Sequence, residues 1–224
     1  MASDFGPPRE QDVSLALNQV TLQGTLALPP RALGVVLFAH GSGSSRFSAR
    51  NRSVARELQG AGIATLLIDL LTAAEEEEDR VTGHLRFDID FLARRLVGAT
   101  EWLGADGATM ALRVGVFGAS TGGGAALVAA ADRPERVAAV VSRGGRPDLA
   151  GPALPRVRCP TLLIVGGRDE PVIAMNQEAV RRMRAPVQLE IVPGATHLFE
   201  EPGTLEEVAR LAREFFVRHL PDGA

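Results

Sequence analysis

The sequence predicts a single α/β domain: a mostly parallel sheet of about eight strands with helices on both faces. Three observations carry that reading. Short runs rich in Val, Ile and Leu recur along the 224 residues, segments with apolar residues at three- and four-residue spacing alternate with them, and a 46% hydrophobic content suffices for one large core. The runs cover 34–39, 63–69, 112–117, 137–142, 161–165 and 187–192, without polar alternation, as expected of strands buried on both faces. Helical spacing appears over 48–59, 85–103, 122–131, 173–183 and 205–220. Two earlier runs, 13–17 and 20–28, are joined by Asn18-Gln19 and suit an antiparallel edge hairpin. The acidic stretch 73–79 cannot bury its charges and is expected as a solvated loop. The Gly-, Pro- and Arg-rich connection 143–160 is too short to hold an inserted lid, so the site is expected to be open. No internal repeat is present, and residues 1–224 read as one domain.

Composition removes several classes of function. A formal charge of −3 without a basic cluster offers no attraction for nucleic acid or an anionic membrane surface. The longest apolar runs are strand-length, far short of the roughly 20 residues that span a bilayer. Cys159 is the single cysteine and the segment from Met1 to Pro8 lacks a secretory pattern, which together predict a cytoplasmic protein. Neither Tyr nor Lys occurs, so all 24 basic residues are Arg. That excludes Schiff-base chemistry, a pyridoxal-phosphate anchor, a P-loop lysine and a Tyr/Lys dehydrogenase pair, each of which needs one of the missing side chains.

The chemistry-bearing signal is Val114-Gly115-Val116-Phe117-Gly118-Ala119-Ser120-Thr121-Gly122, a buried run entering G-x-S-x-G and then an Ala-rich helix. At such a strand-to-helix elbow the nucleophile sits on a strained turn, and residues two positions either side must be small. A glycine-rich phosphate loop is the rival reading, but the next strand ends at Ser142 without the acidic residue a dinucleotide site needs. An activated serine requires a base and an acid, and on this fold they follow in the order Ser, acid, His. Asp169 stands in Gly166-Gly167-Arg168-Asp169-Glu170 after a strand, and His197 in Gly194-Ala195-Thr196-His197 after the last strand. Asp69 precedes the elbow, Glu170 neighbours Asp169, and His40, His84 and His219 do not fit the order. A turn aspartate or helix N-cap is the plainer alternative for Asp169. The oxyanion donors are expected to be the amides of Thr121 and of Ser42 in His40-Gly41-Ser42-Gly43-Ser44-Ser45, with Gly43 also open.

His40-Gly41, the Ser120 elbow, Gly167-Arg168-Asp169 and Gly194-Ala195-Thr196-His197 together resemble the α/β-hydrolase superfamily over nearly the whole chain, specifically its lidless dienelactone-hydrolase-like group. True dienelactone hydrolases use Cys as nucleophile, whereas Ser stands at 120. The resemblance therefore implies carboxylesterase-like cleavage of small esters or thioesters through an acyl-enzyme, with no cofactor or metal. Lactone hydrolysis or perhydrolysis by the same triad, and a non-catalytic binding role, are the alternatives. The expected partner is a small-molecule ester, with monomer and homodimer both open. Two residues are candidates for substrate contact: Gly41, and Arg143 just past a strand, whose guanidinium could grip a carboxylate, although a solvated loop arginine is the plainer reading. Cys159, before Pro160 and far from any His in sequence, reads as a buried structural residue.

Overall fold

The computed structural model describes residues 7–221, so most of the Met1–Pro8 segment lies outside the described residues. Eight strands form one sheet in the order β1-β2-β4-β3-β5-β6-β7-β8. They are β1 (Arg9–Leu17), β2 (Val20–Leu28), β3 (Val35–Ala39), β4 (Ala64–Ile68), β5 (Val114–Ala119), β6 (Val137–Arg143), β7 (Thr161–Gly166) and β8 (Val187–Val192). The first two make the expected hairpin: Leu17 pairs with Val20, and Asn18 takes the left-handed φ of 29° that the tight turn requires. β2 runs antiparallel to β4, and every pairing from β4 across to β8 is parallel.

Both faces are covered, which explains the missing polar alternation. On one side α1 (Ala49–Gly60) and α6 (Thr204–His219) enclose Val36, Phe38, Phe117 and Val141. On the other, α3 (Ile89–Ala105), α4 (Thr121–Asp132) and α5 (Glu170–Arg182) enclose Leu37, Val116, Val140 and Leu163. Phe38 and Phe117, neighbours across the β3–β5 pair, meet with ring centroids 5.0 Å apart. Each such fully buried side chain contributes about 1.5–3 kcal/mol. β8 departs from the two-sided expectation: as the edge strand it alternates half-buried and exposed positions, leaving Ile191 43% exposed.

The acidic stretch is also corrected. Residues 73–79 belong to a helix, α2 (Ala73–Thr82). A capping box starts it, with Thr72 accepting from the Glu75 amide while the Glu75 carboxylate accepts from the Thr72 amide, and Gly83 in the left-handed region ends it. Its charges are partly consumed internally: Asp79 is 1% exposed and accepts from the Leu85 amide at 2.7 Å and from Arg86 Nε at 2.6 Å. The 143–160 connection holds two short 3-10 turns within Pro147–Arg156, separated by a kink at Gly151, which pack on α4 and α5 and insert no lid domain. Cys159 is buried as expected, and burial raises its thiol to about 11. Among the described residues, no helix is long and apolar enough to cross a membrane.

The strand order positions a site. From β3 the chain moves to β4 on one side, and β5 then returns to the other. The loops leaving β3 and β5 therefore emerge side by side at the carboxyl edge, where crevices open in sheets of this kind. Ala39 pairs with Gly118, so residues 40–45 lie next to Ser120.

Candidate active site

Ser120 occupies the turn between β5 and α4 with φ 52° and ψ −120°, a conformation few L-residues adopt. Such strain costs on the order of 1–3 kcal/mol and persists only where packing enforces it. The flanking glycines show the enforcement. A Cβ on Gly118 would lie 2.4 Å from the Gly122 carbonyl oxygen, and one on Gly122 would lie 2.3 Å from that of Ala39. Gly122→Ala forces β3 and α4 apart, and we expect it to lower the thermal midpoint by about 2–12 °C, on the basis that overpacking costs about 1–3 kcal/mol and each kcal/mol shifts the midpoint of a domain this size by about 2–4 °C. A melt unchanged from wild type contradicts this packing.

The three residues singled out by chain order converge. His197 Nδ1 lies 2.6 Å from Asp169 Oδ2, and its Nε2 lies 3.4 Å from Ser120 Oγ. Asp169 is indeed the N-cap residue of α5, the plainer reading, yet its side chain caps nothing there. The carboxylate turns to the imidazole instead, with its side chain only 13% exposed against 38% for His197. The competitors point elsewhere. Asp69 accepts from the Arg46 amide at 2.8 Å and ion-pairs with the Arg46 guanidinium, and Glu170 is exposed. His84 is exposed and bonds Thr82, and His219 packs at a tilt against Phe215 with ring centroids 4.5 Å apart.

His40 lies at the site in a different capacity. Its Nδ1 donates to the Gly41 carbonyl at 2.9 Å and its Nε2 accepts from the Leu70 amide at 3.0 Å, tying the β3 loop to the β4 loop. Burial lowers its pKa, opposed by the Gly41 hydrogen bond and by Asp69 and Glu76, and the ring is neutral. Above about pH 6.5 neither folded nor unfolded chain protonates here, so the group is indifferent to pH. Below that the unfolded chain binds a proton that the folded chain refuses, and stability falls as pH drops. Thermal unfolding from pH 8 to 5 should show a declining midpoint, with a shallower decline in His40→Gln; equal slopes contradict the assignment.

The two expected oxyanion donors are adjacent but differ in state. Thr121 opens α4, so its amide has no acceptor within the helix. The Ser42 amide donates to Thr121 Oγ1 at 3.0 Å, so it is already engaged rather than free. Gly41 packs on the elbow, a Cβ there falling 3.1 Å from Ser120 Cβ. Beyond the loop lies an open cleft of about 760 Å³, bordered by Ser44, Phe47, Asp69, Leu71 and Glu76.

Arg143 is placed differently from the loop position expected. It is the last residue of β6 and is 7% exposed, and its carbonyl accepts the Ser120 amide at 3.1 Å. Sequence reasoning missed three supports altogether. Glu201 accepts from the Thr196 amide at 3.0 Å and fixes the His197 loop. Asn176, fully buried on α5, donates to the Gly145 carbonyl at 3.1 Å and holds the 143–146 turn beneath it. Ser142 faces that turn, a Cβ on Gly145 falling 1.8 Å from its hydroxyl oxygen. An amide side chain inside an otherwise apolar helical stripe was the available signal for Asn176.

The chain as a whole has relatives. The family model described as "Dienelactone hydrolase family" matches residues 22–218. The chain belongs to the dienelactone hydrolase family. A crystal structure of dienelactone hydrolase from Anabaena variabilis is 64% identical, superposes with a TM-score of 0.94, and shares 96% of this chain and 99% of its own. Two proteins from strains of Mycobacterium tuberculosis, each named "Putative phosphoribosyl transferase", are 58% identical over 214 residues. That match covers 96% of this chain and 47% of each relative, so this family member spans about half of their length. Est1E from Butyrivibrio proteoclasticus, at 16% identity and a TM-score of 0.76 over 92% of this chain and 98% of its own, shares the α/β-hydrolase fold.

Proposed function

We propose that the protein is a serine carboxylic-ester hydrolase acting on small esters or thioesters through an acyl-enzyme on Ser120. The observation that carries the proposal is one imidazole bridging two groups that are 49 residues apart in sequence, with Nδ1 on the Asp169 carboxylate and Nε2 facing the Ser120 hydroxyl. In this reading Ser120 Oγ attacks the substrate carbonyl carbon as His197 Nε2 takes its proton. Asp169 holds the Nδ1 proton, fixing the tautomer and stabilising the imidazolium. The Thr121 amide and the start of α4 meet the oxyanion of the tetrahedral intermediate. His197 then protonates the departing alcohol or thiol, and water, deprotonated by the same imidazole, releases the acid and regenerates Ser120. The 3.4 Å separation suits a resting site that shortens when substrate is bound.

The lone cysteine favours a cytoplasmic setting. The transferase name belongs to proteins of which more than half has no counterpart here, and no residue described above favours phosphoribosyl transfer for this chain. Hydrolysis of a short aryl acetate, followed by released phenol, tests the proposal: turnover well above the solution rate is expected, and a rate no greater than that of Ser120→Ala overturns it.

A further inference from the structure

Among the described residues, Glu76 is the only charged side chain bordering the cleft at the candidate site that has no ion-pair partner. Two spaces meet there. The open cleft of about 760 Å³ runs between residues 43–48 and the start of α2, and a small cavity of about 10 Å³ reaches Gly41 and the oxyanion candidates Ser42 and Thr121. Glu76, His40, Gly43 and Leu71 line both, so Glu76 stands where the cleft leads in toward Ser120. Its carboxylate is close enough to the His40 ring to oppose the lowering of that ring's pKa by burial.

The other charges lining these spaces cancel. Arg46 is ion-paired with Asp69, and Arg86 donates from Nε to Asp79, which is buried beneath it. His40 is neutral, with each ring nitrogen bonded to backbone. Arg52, which lies over the Phe47 ring, borders neither space. One uncompensated negative charge therefore faces the cleft, and it belongs to Glu76.

An acid in the first turn of α2 also complements the helix dipole. Glu75 already meets that need: it closes the capping box and is held by Arg95 at 2.5 Å. Glu76 is half-buried, and a carboxylate withdrawn from water without a counter-ion carries a desolvation cost that a cation in the cleft would offset.

We propose that Glu76 selects esters that carry a cationic nitrogen group, holding that cation at the inner end of the cleft while the carbonyl reaches Ser120. The inference rests on the hydrolase reading above and narrows its substrates to positively charged esters. Attraction between unit charges is stronger in a part-buried cleft than in bulk water, and salt screens it.

Two pairs of esters isolate the charge, each exchanging a trimethylammonium group for a neutral tert-butyl group of the same shape. On the acyl side, 4-nitrophenyl 4-(trimethylammonio)butanoate is compared with 4-nitrophenyl 5,5-dimethylhexanoate; on the alcohol side, acetylcholine is compared with 3,3-dimethylbutyl acetate. The cationic member of at least one pair should have the higher kcat/KM, by about 5- to 30-fold at low ionic strength, with the preference shrinking as salt is added. Glu76→Gln, which keeps the shape without the charge, should bring that ratio to within about 2-fold of unity, and Glu76→Arg should turn the preference toward the neutral ester. A carboxylate that serves only the helix would lower the thermal midpoint of both variants and leave the ratio unmoved. That result overturns the proposal, as does a preference of the unaltered protein for the neutral member of both pairs.

Calorimetry on the whole chain carrying Ser120→Ala removes the dependence on turnover. Titrated with each cationic ester at low ionic strength, it should saturate with at least one, and adding Glu76→Gln should weaken that binding about 5- to 30-fold. Saturation by neither ester, or affinity unchanged by the substitution, overturns the proposal. If the unaltered protein turns over none of the four esters, the hydrolase reading fails while the calorimetric result still decides the Glu76 site.

Discussion

His197→Ala is expected to lower kcat for a short aryl ester on the order of 10⁵- to 10⁶-fold, and Ser120→Ala to do the same. The two losses should not add. In the structure the imidazole has one partner on each nitrogen, Asp169 at 2.6 Å and Ser120 at 3.4 Å, so the proposed mechanism makes hydroxyl and ring one unit. Without the ring the hydroxyl keeps its proton at neutral pH; without the hydroxyl the ring has no nucleophile to activate. The double variant should therefore retain about the same residual rate as either single one, a remainder supplied by the oxyanion donors and by binding. Parallel measurement of kcat and of thermal midpoint separates this from unfolding, because Ser120→Ala removes a single oxygen and should leave the fold intact. Multiplicative losses in the double variant would mean that the two side chains act separately.

Asp169→Asn should cost about 10⁴-fold in kcat with little change in KM. Its carboxylate is held out of the α5 cap and points at His197 Nδ1, where it accepts a proton-bearing nitrogen. An asparagine at the same place can present its NH₂ group, which favours the tautomer that carries its proton on Nε2 and so removes the base facing Ser120. Asp169→Ala should be no more harmful. Asp69 cannot take over, since Arg46 holds it through both an amide and a guanidinium. A loss below about 10-fold for Asp169→Asn, measured as steady-state kcat on a short aryl ester, would show that the carboxylate has no such task.

The candidate site was largely legible in the sequence because its residues lie at strand ends, where patterning and chain order both speak. A buried run entering Gly118-Ala119-Ser120-Thr121-Gly122 can be accommodated only by a tight elbow, and the observed contacts of Gly118 and Gly122 explain why no larger residue stands there. Two features resisted, one local and one set by the extent of a strand. The acidic stretch reads as loop from charge alone, yet Thr72 and Glu75 cap a helix there and Arg86, seven residues on, neutralises Asp79. Thr72-x-x-Glu75 was a visible start signal that the charge density obscured. Arg143 misled in the opposite direction: a position next to two glycines suggests solvent, whereas β6 extends one residue further and carries the guanidinium into the face shared with Phe199. The engagement of the Ser42 amide by the Thr121 hydroxyl, across 79 residues, has no sequence signature at all.

The proposed hydrolysis depends on activation of the Ser120 hydroxyl by His197. An aryl-free alkyl fluorophosphonate, incubated with the protein and followed by intact mass and peptide mapping, tests it most directly, since the reagent forms its P–O bond only with an activated hydroxyl. One adduct is expected, on the peptide bearing Ser120, absent from Ser120→Ala and slowed at least about 100-fold in His197→Ala, within the range that a positioned general base contributes. Labelling at another residue, or labelling of Ser120 at the same rate without the imidazole, would contradict it.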